Sequence, residues 1–492
     1  MRYKHTLIVV VLLITTLTSY AQYSGDALRF SLLNNSTTAR FDALGGEKTA
    51  IGGDLSSLYG NPAGLGMFTK SEFNLTPSLS LNRNDISFTG NKNQLNNNNV
   101  DLKNLGVVFH TLTYKSGNPT KGLLSLNFGI GYQKREAFKN DLSFRGTSNL
   151  NGLSDFFTES SNAEGASGGG IPDPQNLASN ANYAAYYSYL TDYKNNKYNN
   201  ITYADADQNY NLRRTGGNSN IDFSFGANIS NKLFLGASLG IASFKYRSIE
   251  KTTENGLYID PTTSNSNDYN VTYTRNFSTD GSGVNLKLGL ILKPVHQLRI
   301  GLSFESPTWY SVTDNYSEEL LNNINAYSGL DSYPYEYRLT TPMKVNGGLA
   351  FFFGSKGFIS ADLGFVDYST IKFKSNDYST EQLNNNNIVN DFKNVINYNV
   401  GGELRVRDDL LFRWGYQSQG NPYVNLSNKD FTVTSYSGGF GYRFGAYYLD
   451  MALINSNSML YYSNYTLSNG RQPTATVDNR NNTVSLTFGV RF

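Results

Sequence analysis

The sequence predicts an all-β fold, a transmembrane antiparallel β-barrel of about fourteen strands, from three observations. Long runs alternate between apolar and polar side chains, tight connections alternate with long ones, and the chain ends in an aromatic strand from Val484 to Phe492. A strand between lipid and a wet lumen needs this alternation, because its side chains point to opposite faces in turn.

The clearest alternation begins at Val284, where apolar side chains fill every second position to Leu292 and polar ones such as Lys287 lie between them. The run Leu298 to Phe304 follows after a short turn at Pro294, which predicts a hairpin. A soluble β-sandwich or propeller would also have period-two strands, but it would bury one apolar face of each. Here one face of nearly every strand carries charge, which favours the barrel. The charged side chains expected to point inward are Lys287, Arg299, Glu305, Asp362, Arg413 and Asp450.

Connection lengths orient the barrel, since bacterial outer-membrane barrels have short periplasmic turns and longer external loops. Both termini are therefore predicted on the periplasmic side. Tight turns are expected near 115–121, 230–232, 293–296, 353–357, 406–409 and 444–446, and long polar loops at 90–101, 137–217, 248–267, 318–333, 374–391, 418–430 and 456–480. The 137–217 loop is long enough for structure of its own, with a short helix expected at 181–193.

Three regions follow from these patterns. Residues 1–21 resemble a secretory signal peptide, because Arg2 and Lys4 precede an apolar stretch and Ala21 supplies a small residue at the cleavage position. Residues 22–70 are rich in glycine, lack alternation and are predicted to form a plug, or hatch, since a wide barrel must be filled to prevent leakage. Residues 71–492 form the predicted barrel, and the whole pattern places the protein in the outer membrane of a Gram-negative bacterium.

Composition narrows the function classes. The 492 residues include 36 Tyr and 30 Phe, which suit strands and interfacial girdles, and no Cys, which excludes disulfides and thiolate chemistry. The net charge of +2 contains no basic block that would indicate a nucleic-acid partner. Only three histidines are present, and neither His110 nor His296 lies in a recognisable catalytic or metal-binding pattern, so no enzyme, metal or cofactor is predicted. A Ser-His-Asp hydrolase stays open, because one histidine would suffice for it.

Several motifs in the N-terminal region and around a hairpin in the middle of the chain carry a family resemblance. These stretches are Ser36 to Arg40, Gly45-Gly46, Gly52 to Ser57, Asn61 to Leu65, Asp280 to Leu290, Leu298 to Gly301, Ser306-Pro307 and Thr341 to Leu349. They resemble the FadL/TodX family of outer-membrane transporters for long-chain fatty acids and other hydrophobic compounds. With the C-terminal strand, the resemblance covers nearly the whole mature chain.

The resemblance implies a hatch in the lumen and a lateral opening at a kink in the third strand. Asn61, Pro62 and Ala63 would act near this opening, although Asn-Pro is also an ordinary loop starter. The third strand, expected over 123–136, contains Gly129 and Gly131 as kink positions, unless lumen packing alone requires them. The residues expected to line a ligand pocket, or else to pack plug against wall, are Phe30, Phe41, Phe234, Ile291 and Leu411.

Passive uptake of a hydrophobic small molecule such as a long-chain fatty acid is the leading interpretation. A porin for polar solutes and a structural or adhesive barrel remain alternatives. The expected partners are that molecule, outer-membrane lipid, and the barrel assembly machinery through the terminal Phe492; the resemblance implies a monomer, and no nucleic acid is expected.

Overall fold

The structure is a computed structural model that describes residues 21–32, 37–114, 120–164, 170–324, 328–424 and 429–492. The predicted signal peptide falls almost entirely outside the described residues, as does Ser36. No helix in the described part of the chain is long and apolar enough to cross a membrane.

Fourteen antiparallel strands form one sheet that closes on itself, because the last strand pairs with the first from Glu72–Arg491 to Ser87–Thr476. Successive strands pair all round the barrel, so the predicted fold class and strand number are confirmed. The C-terminal strand is the closing strand. The unbroken strands are β1 (Glu72–Phe88), β2 (Asn91–Leu112), β4 (Ala206–Ile229), β5 (Leu233–Ile259), β6 (Ser266–Leu292), β10 (Asn394–Arg405), β11 (Leu410–Gln419), β12 (Val433–Phe444), β13 (Tyr447–Ser463) and β14 (Thr474–Arg491).

Four strands are interrupted, and each continues as a second segment beside the same neighbour. Both segments of β3, for example, pair with β4. Two of the interruptions contain a proline, Pro307 and Pro342, whose nitrogen cannot donate to a ladder. The interrupted strands are β3a (Leu123–Ala137) and β3b (Asn140–Ser148), β7a (Leu298–Glu305) and β7b (Trp309–Asn322), β8a (Ser328–Thr340) and β8b (Lys344–Phe352), and β9a (Gly357–Asp367) and β9b (Lys372–Lys374).

The alternation gives the barrel an apolar outer belt and a polar interior. On β6, Val284, Leu286 and Leu288 are exposed on the outer face, whereas Asn285 and Lys287 are buried inside. The predicted alternation is therefore confirmed on this strand. Phe492 follows β14, and its backbone N–H donates to the Ser71 carbonyl at 2.9 Å, which places both ends of the barrel chain at one rim.

Several predicted loops are strands instead. Residues 91–101 belong to β2, which joins β1 through a turn at Thr89 and Gly90, and most of 248–267 and 456–480 also extend the sheet. These segments carry few apolar residues, but ladder pairing uses backbone groups that every residue except proline supplies. The strands β5 and β6 each contain 27 residues, against the roughly 9–11 that cross a bilayer. The barrel wall thus continues well beyond its apolar belt.

The helices lie inside the barrel or in its long connections. The predicted helix at 181–193 is α4, which is shorter than expected, and the predicted loop at 374–391 holds α5. Asp377 begins α5 by accepting a hydrogen bond from Ser379 N at 3.0 Å. The α-helices are α1 (Ala21–Ser31), α2 (Ala39–Ala43), α3 (Leu153–Ala163), α4 (Asn180–Tyr187) and α5 (Tyr378–Asp391), and short 3-10 helices span Leu55–Leu58, Pro62–Met67, Pro174–Asn176 and Tyr368–Thr370.

The helix α1 is held by aromatic side chains from the surrounding wall. Phe30 stacks on Phe244 with a centroid separation of 4.2 Å, and Arg29 lies 4.6 Å from the centre of the Tyr246 ring. Val312 of β7b and Ile388 of α5 belong to the same buried cluster. Truncating one such aromatic side chain to alanine typically costs about 3–5 kcal/mol, so this cluster fixes α1 firmly.

Asp314 is a buried, inward-facing residue of β7b beside α1. It lies five residues past Trp309 in the direction away from the membrane, and therefore outside the apolar belt. Burial, together with the nearby carboxylate of Asp26, raises the pKa of Asp314 to about 8. The folded protein thus retains a proton that the unfolded chain releases at much lower pH. Stability from the neutral carboxyl is present below the usual aspartate range and is lost as pH rises through about 8.

We expect Asp314→Asn to remove this loss. Hydrogen exchange of α1 should accelerate between about pH 4 and about pH 8 in the wild type, after correction for intrinsic exchange, and much less in the variant. Asp268→Asn, at an exposed position of β6, is the matched control and should behave as the wild type. An identical pH response in all three proteins would contradict the prediction.

Candidate functional site: the lumen and the N-terminal segment

Residues 21–70, called here the N-terminal segment, contain no barrel strand and contact the inner wall on many sides. Arg40 pairs with Glu403 of β10 at 2.9 Å, and Lys48 with Asp362 of β9a at 3.4 Å. The Ala39 N–H donates to the Thr487 hydroxyl of β14 at 2.8 Å, and Asp42 pairs with Lys103 of β2 at 2.5 Å. These bonds on four different strands tie the segment into the lumen.

Asn61 links the segment to itself and to the wall. Its side-chain amide donates to the Thr49 carbonyl at 2.7 Å and to the Leu290 carbonyl of β6 at 3.3 Å. Its side-chain oxygen accepts from Ala63 N at 3.1 Å and so caps the short helix that Pro62 begins. Asn61 therefore fixes both the local turn and its place against β6.

Glycines in the wall allow this close approach. A Cβ at Gly289 of β6 would lie 1.9 Å from Asn61 Oδ1, and one at Gly236 of β5 would lie 2.2 Å from the Pro62 carbonyl carbon. Ala63 packs with Phe234 and Ile291 of the same two strands. The wall contacts of the predicted gate residues Asn61, Pro62 and Ala63 described above are thus with β5 and β6.

Tyr59 and Leu58 contact the third strand at its glycines, and the Leu65 carbonyl accepts a hydrogen bond from Asn127 lower on the same strand. The Tyr59 hydroxyl lies 3.0 Å from the carbonyl oxygens of both Leu105 on β2 and Tyr132 on β3a, and donates to one at a time. A Cβ at Gly131 would come within 2.5 Å of this hydroxyl. Sequence reasoning did not single out Tyr59, because nothing in its local pattern distinguishes it from other tyrosines.

The backbone ladder between β2 and β3 ends directly above Tyr59. Its last pair is Asn104 with Gln133, and in the described part of the chain no backbone pairing joins residues 91–103 of β2 to β3b. Side chains bridge the gap instead. The bridges are the Asp101–Lys134 ion pair, Lys139 Nζ to the Asn98 carbonyl (2.8 Å), Asn97 Nδ2 to the Asp141 carbonyl (2.8 Å) and Asn93 Nδ2 to the Ser143 carbonyl (2.9 Å).

The third strand is interrupted above its glycines. The ladders are continuous through Gly129 and Gly131, whereas the register with β4 shifts between Lys134 and Glu136 and the strand breaks after Ala137. The register shift and the break of the third strand thus lie above Gly129 and Gly131, the predicted kink positions. Both glycines instead admit the segment, because a Cβ at Gly129 would lie 2.5 Å from the Leu58 side chain.

A buried ion pair inside the barrel joins the register shift of β3a to the interruption of β7. Arg135, at the register shift of β3a, lies 2.8 Å from Glu305, the last residue of β7a before its interruption. Both side chains are almost completely buried. The interrupted strands β3 and β7 are thus connected inside the barrel.

A cavity of about 930 Å³ lies between the N-terminal segment and the wall. Residues 134–140 line it, so it extends to the part of β3 that β2 joins only through side chains. Its lining mixes aromatic rings, hydroxyls, amides and ion pairs. Aromatic members that sequence reasoning missed are Phe138, Tyr210, Tyr246, Tyr423, Phe431, Tyr461 and Tyr462.

The five residues predicted to line a pocket do not lie together. Phe30 belongs to the cluster around α1, and Phe41 packs with Leu44 and Ile51. Phe234 and Ile291 pack against Ala63, and Leu411 is buried elsewhere on β11. None of the five lines the cavity, so the structure favours the packing alternative for them.

The charged side chains predicted to face the lumen are buried or half-buried there and form ion pairs or hydrogen bonds. Arg413 lies 2.7 Å from both Glu403 and Asp450, and Lys287 lies 2.7 Å from Asp222. Arg299 donates to the Ile51 carbonyl at 2.5 Å. His110 contacts Asn127 at 2.7 Å, and no group of His, Asp and Glu side chains in the described ranges could hold a metal ion.

Gly289→Ala tests whether the close approach holds the segment in place. The added methyl would collide with Asn61 Oδ1 and Ala63 N, and such overpacking typically costs about 1–3 kcal/mol. We expect faster hydrogen exchange and proteolysis within residues 59–68. Gly347→Ala on β8b, where a Cβ meets nothing within 4 Å, is the control and should leave both unchanged. Equal effects of the two substitutions would refute the assignment.

Comparison with known proteins addresses the fold. No protein-family model and no curated protein matches the chain. Among solved structures, a FadL homologue of Pseudomonas aeruginosa has a TM-score of 0.55 and 14% identity, covering 94% of this chain and 98% of its own.

Two further structures are similar over comparable lengths. The Pseudomonas putida toluene transporter TodX has a TM-score of 0.51 at 13% identity, with 93% of this chain and 98% of TodX covered. The CymD monoaromatic hydrocarbon channel has a TM-score of 0.50 at 14% identity, with 94% and 97% covered. With the closed fourteen-stranded sheet, these similarities show that the chain has the fold of the FadL/TodX family.

Proposed function

We propose that this protein is an outer-membrane channel that takes up hydrophobic small molecules, including long-chain fatty acids, by passive diffusion, with residues 22–70 as its hatch. The observation that carries the proposal is the end of the β2–β3 ladder at Asn104 and Gln133, beside a cavity that extends to it. The similar solved structures include a toluene transporter and a monoaromatic hydrocarbon channel, which supports the same substrate class.

The proposed exit is lateral, into the membrane, between β2 and β3 just above the last ladder pair, where Val100 and Leu102 of β2 are still exposed apolar side chains. An apolar molecule gains about 25 cal/mol for each Å² of surface it removes from water, so leaving into lipid is favoured over crossing a wet lumen. Opening this part of the wall would break side-chain contacts such as Asp101–Lys134 but no backbone ladder. The strand pairs elsewhere in the wall would stay intact.

Tyr59 connects the hatch to this exit. Its hydroxyl bonds to the rung below the last pair of the ladder, while Asn61, two residues later, is bonded to β6. Movement of the hatch would therefore strain or break the Tyr59 hydrogen bonds at the lower edge of the proposed opening. The assembly machinery would recognise the C-terminal strand ending in Phe492, and the resemblance favours a monomer.

Uptake into proteoliposomes tests the substrate class. A fluorescent long-chain fatty acid and a monoaromatic hydrocarbon should equilibrate faster than through empty vesicles, without an energy source. Sugars should not cause rapid swelling, because the N-terminal segment fills part of the lumen. Rapid swelling with sugars and no acceleration for either apolar probe would support the porin alternative instead.

A crosslink across the gap tests the route. In a chain without native cysteine, Asp101→Cys with Lys134→Cys joined by a short bis-maleimide should reduce uptake to near background, because it ties β2 to β3. The matched control is Arg145→Cys with Asp207→Cys, an exposed ion-paired position at 2.5 Å between β3b and β4, where the ladder is continuous. Full uptake after complete linkage of the first pair would exclude this exit.

The double substitution Asn61→Ala with Pro62→Ala tests the hatch. It removes the bond to the Leu290 carbonyl and the cap of the short helix, so we expect a severalfold loss of uptake with a barrel that remains heat-modifiable on gels. Gly347→Ala serves again as the control. Unaltered uptake would remove the proposed role of these residues.

A further inference from the structure

Three basic side chains lie unpaired on the outer face of the barrel, directly above the apolar belt. They are Arg338 of β8a and Lys372 and Lys374 of β9b, and all three are exposed. Between them in sequence, Leu339 and Phe373 are buried, so strand alternation turns the three charges outward. Within the described ranges none of them has a hydrogen bond or ion pair.

Strand register places two of these charges side by side. Arg338 is directly opposite Lys374, and Thr340 is directly opposite Lys372. Side chains at directly opposed positions lie roughly 5 Å apart at Cβ, and like charges there repel each other. Glu336, two residues from Arg338 on the same exposed face of β8a, forms no ion pair within the described residues, so an external anion that binds between the two cations would reduce their repulsion.

The same register locates the patch relative to the membrane. Trp309 of β7b is opposite Thr340, so Trp309, Thr340 and Lys372 form one level across three strands. Trp309 is half-exposed, and tryptophan is typical of the boundary between lipid tails and headgroups. The next level away from the belt contains Ser311, Arg338 and Lys374.

On the membrane side of Trp309, Thr340 and Lys372, the neighbouring outer-face residues are apolar and exposed. They are Met343, between β8a and β8b, and Phe365, near the end of β9a. A ligand here would therefore have its acyl chains against the belt and its charge beside the basic side chains. A soluble anion would contact only the basic side chains and leave the apolar ones uncovered.

We propose that Arg338, Lys372 and Lys374 form a binding site for the phosphorylated headgroup of an outer-leaflet lipid. The proposal rests on the outer-membrane location inferred above and is otherwise independent of transport. The Arg338 guanidinium can donate two parallel hydrogen bonds to one phosphate, and the two ammonium groups add charge. The hydroxyls of Ser311 and Thr340 lie on the same levels and can donate to remaining phosphate oxygens.

Other basic residues outside the belt do not form the same arrangement. On β5, Arg247 is already paired with Asp280 at 2.7 Å. On β1, Arg83 pairs with Asp85 at 3.0 Å. On the neighbouring β14, Arg480 pairs with Asp478 at 2.7 Å. The patch on β8a and β9b is distinguished by its opposed, uncompensated charges beside a boundary tryptophan.

The test measures binding of bis-phosphorylated lipid A to the full-length chain in neutral detergent by native mass spectrometry. The probes for comparison are dephosphorylated lipid A and inorganic phosphate. We expect the triple variant Arg338→Ala, Lys372→Ala, Lys374→Ala to bind the phosphorylated lipid roughly one hundredfold more weakly, from about a fivefold loss for each basic residue near a membrane surface. Dephosphorylated lipid A should bind the wild type and the variant equally weakly.

The matched control removes the same charge from exposed external positions away from the belt, with Lys92→Ala, Lys194→Ala and Lys197→Ala. It should bind as the wild type, and heat-modifiability on gels should verify folding of each variant. Equal affinity of the triple variant and the wild type, or equal loss in the control, would overturn the site. Full competition by inorganic phosphate would overturn the lipid assignment. Uptake is not involved in this measurement, so its failure and failure of the channel proposal are distinguishable.

Discussion

Closure of the sheet is the constraint on which the other features of this protein depend. Because β14 pairs with β1, all inward side chains face a shared lumen, and all outward ones face a continuous surface. Polar groups that point inward must then find partners inside the barrel. The N-terminal segment supplies many of them, through Arg40, Lys48 and Thr49 among others.

Closure also determines where the wall can open. Most strand pairs are joined by continuous backbone ladders, and breaking one would expose many donors and acceptors at once. Between β2 and β3b the joints are side chains such as Asn97 and Lys139. Side-chain joints can separate and be rewetted one at a time, so this part of the wall can move with less disruption than a pair of strands joined by a ladder.

The barrel strands could be predicted from the sequence more accurately than the segments inside the lumen. Alternation from Val284 to Leu292 correctly predicted which side chains face outward. Inward-facing charges such as Asp362 were identified from their alternate positions along the strand alone. The strand extension at 91–101 was missed, because its only apolar residues are Leu95 and Val100, so the alternation that identifies a strand disappears. The Asn384–Asn387 run became helical, because Asp377 caps α5 and Ile388 packs beside α1.

The candidate site was harder to predict for a related reason. Parity shows that Phe41 and Leu411 face inward, but which inward residues meet depends on the path of residues 21–70, which have no periodicity. Gly131 illustrates the difficulty. A glycine within a strand indicates close approach as readily as a kink, and here the approaching group is the Tyr59 hydroxyl.

The charges around the cavity bear on what can occupy it. Lys103 is paired with Asp42, Lys134 with Asp101, Arg135 with Glu305, and Arg214 with Glu250 at 3.5 Å. At these four cations, a carboxylate entering from outside would have to compete with acids that are already held in place, whereas Lys139 and Lys344 line the cavity without an ion pair in the described residues. Tyr246 and Tyr462 each hold an arginine over the ring, but an aromatic ring that holds a cation on one face can still contact an apolar molecule through its other surfaces. Apolar contact is therefore the interaction this lining offers at least cost, which agrees with a hydrophobic cargo whose own charge contributes little.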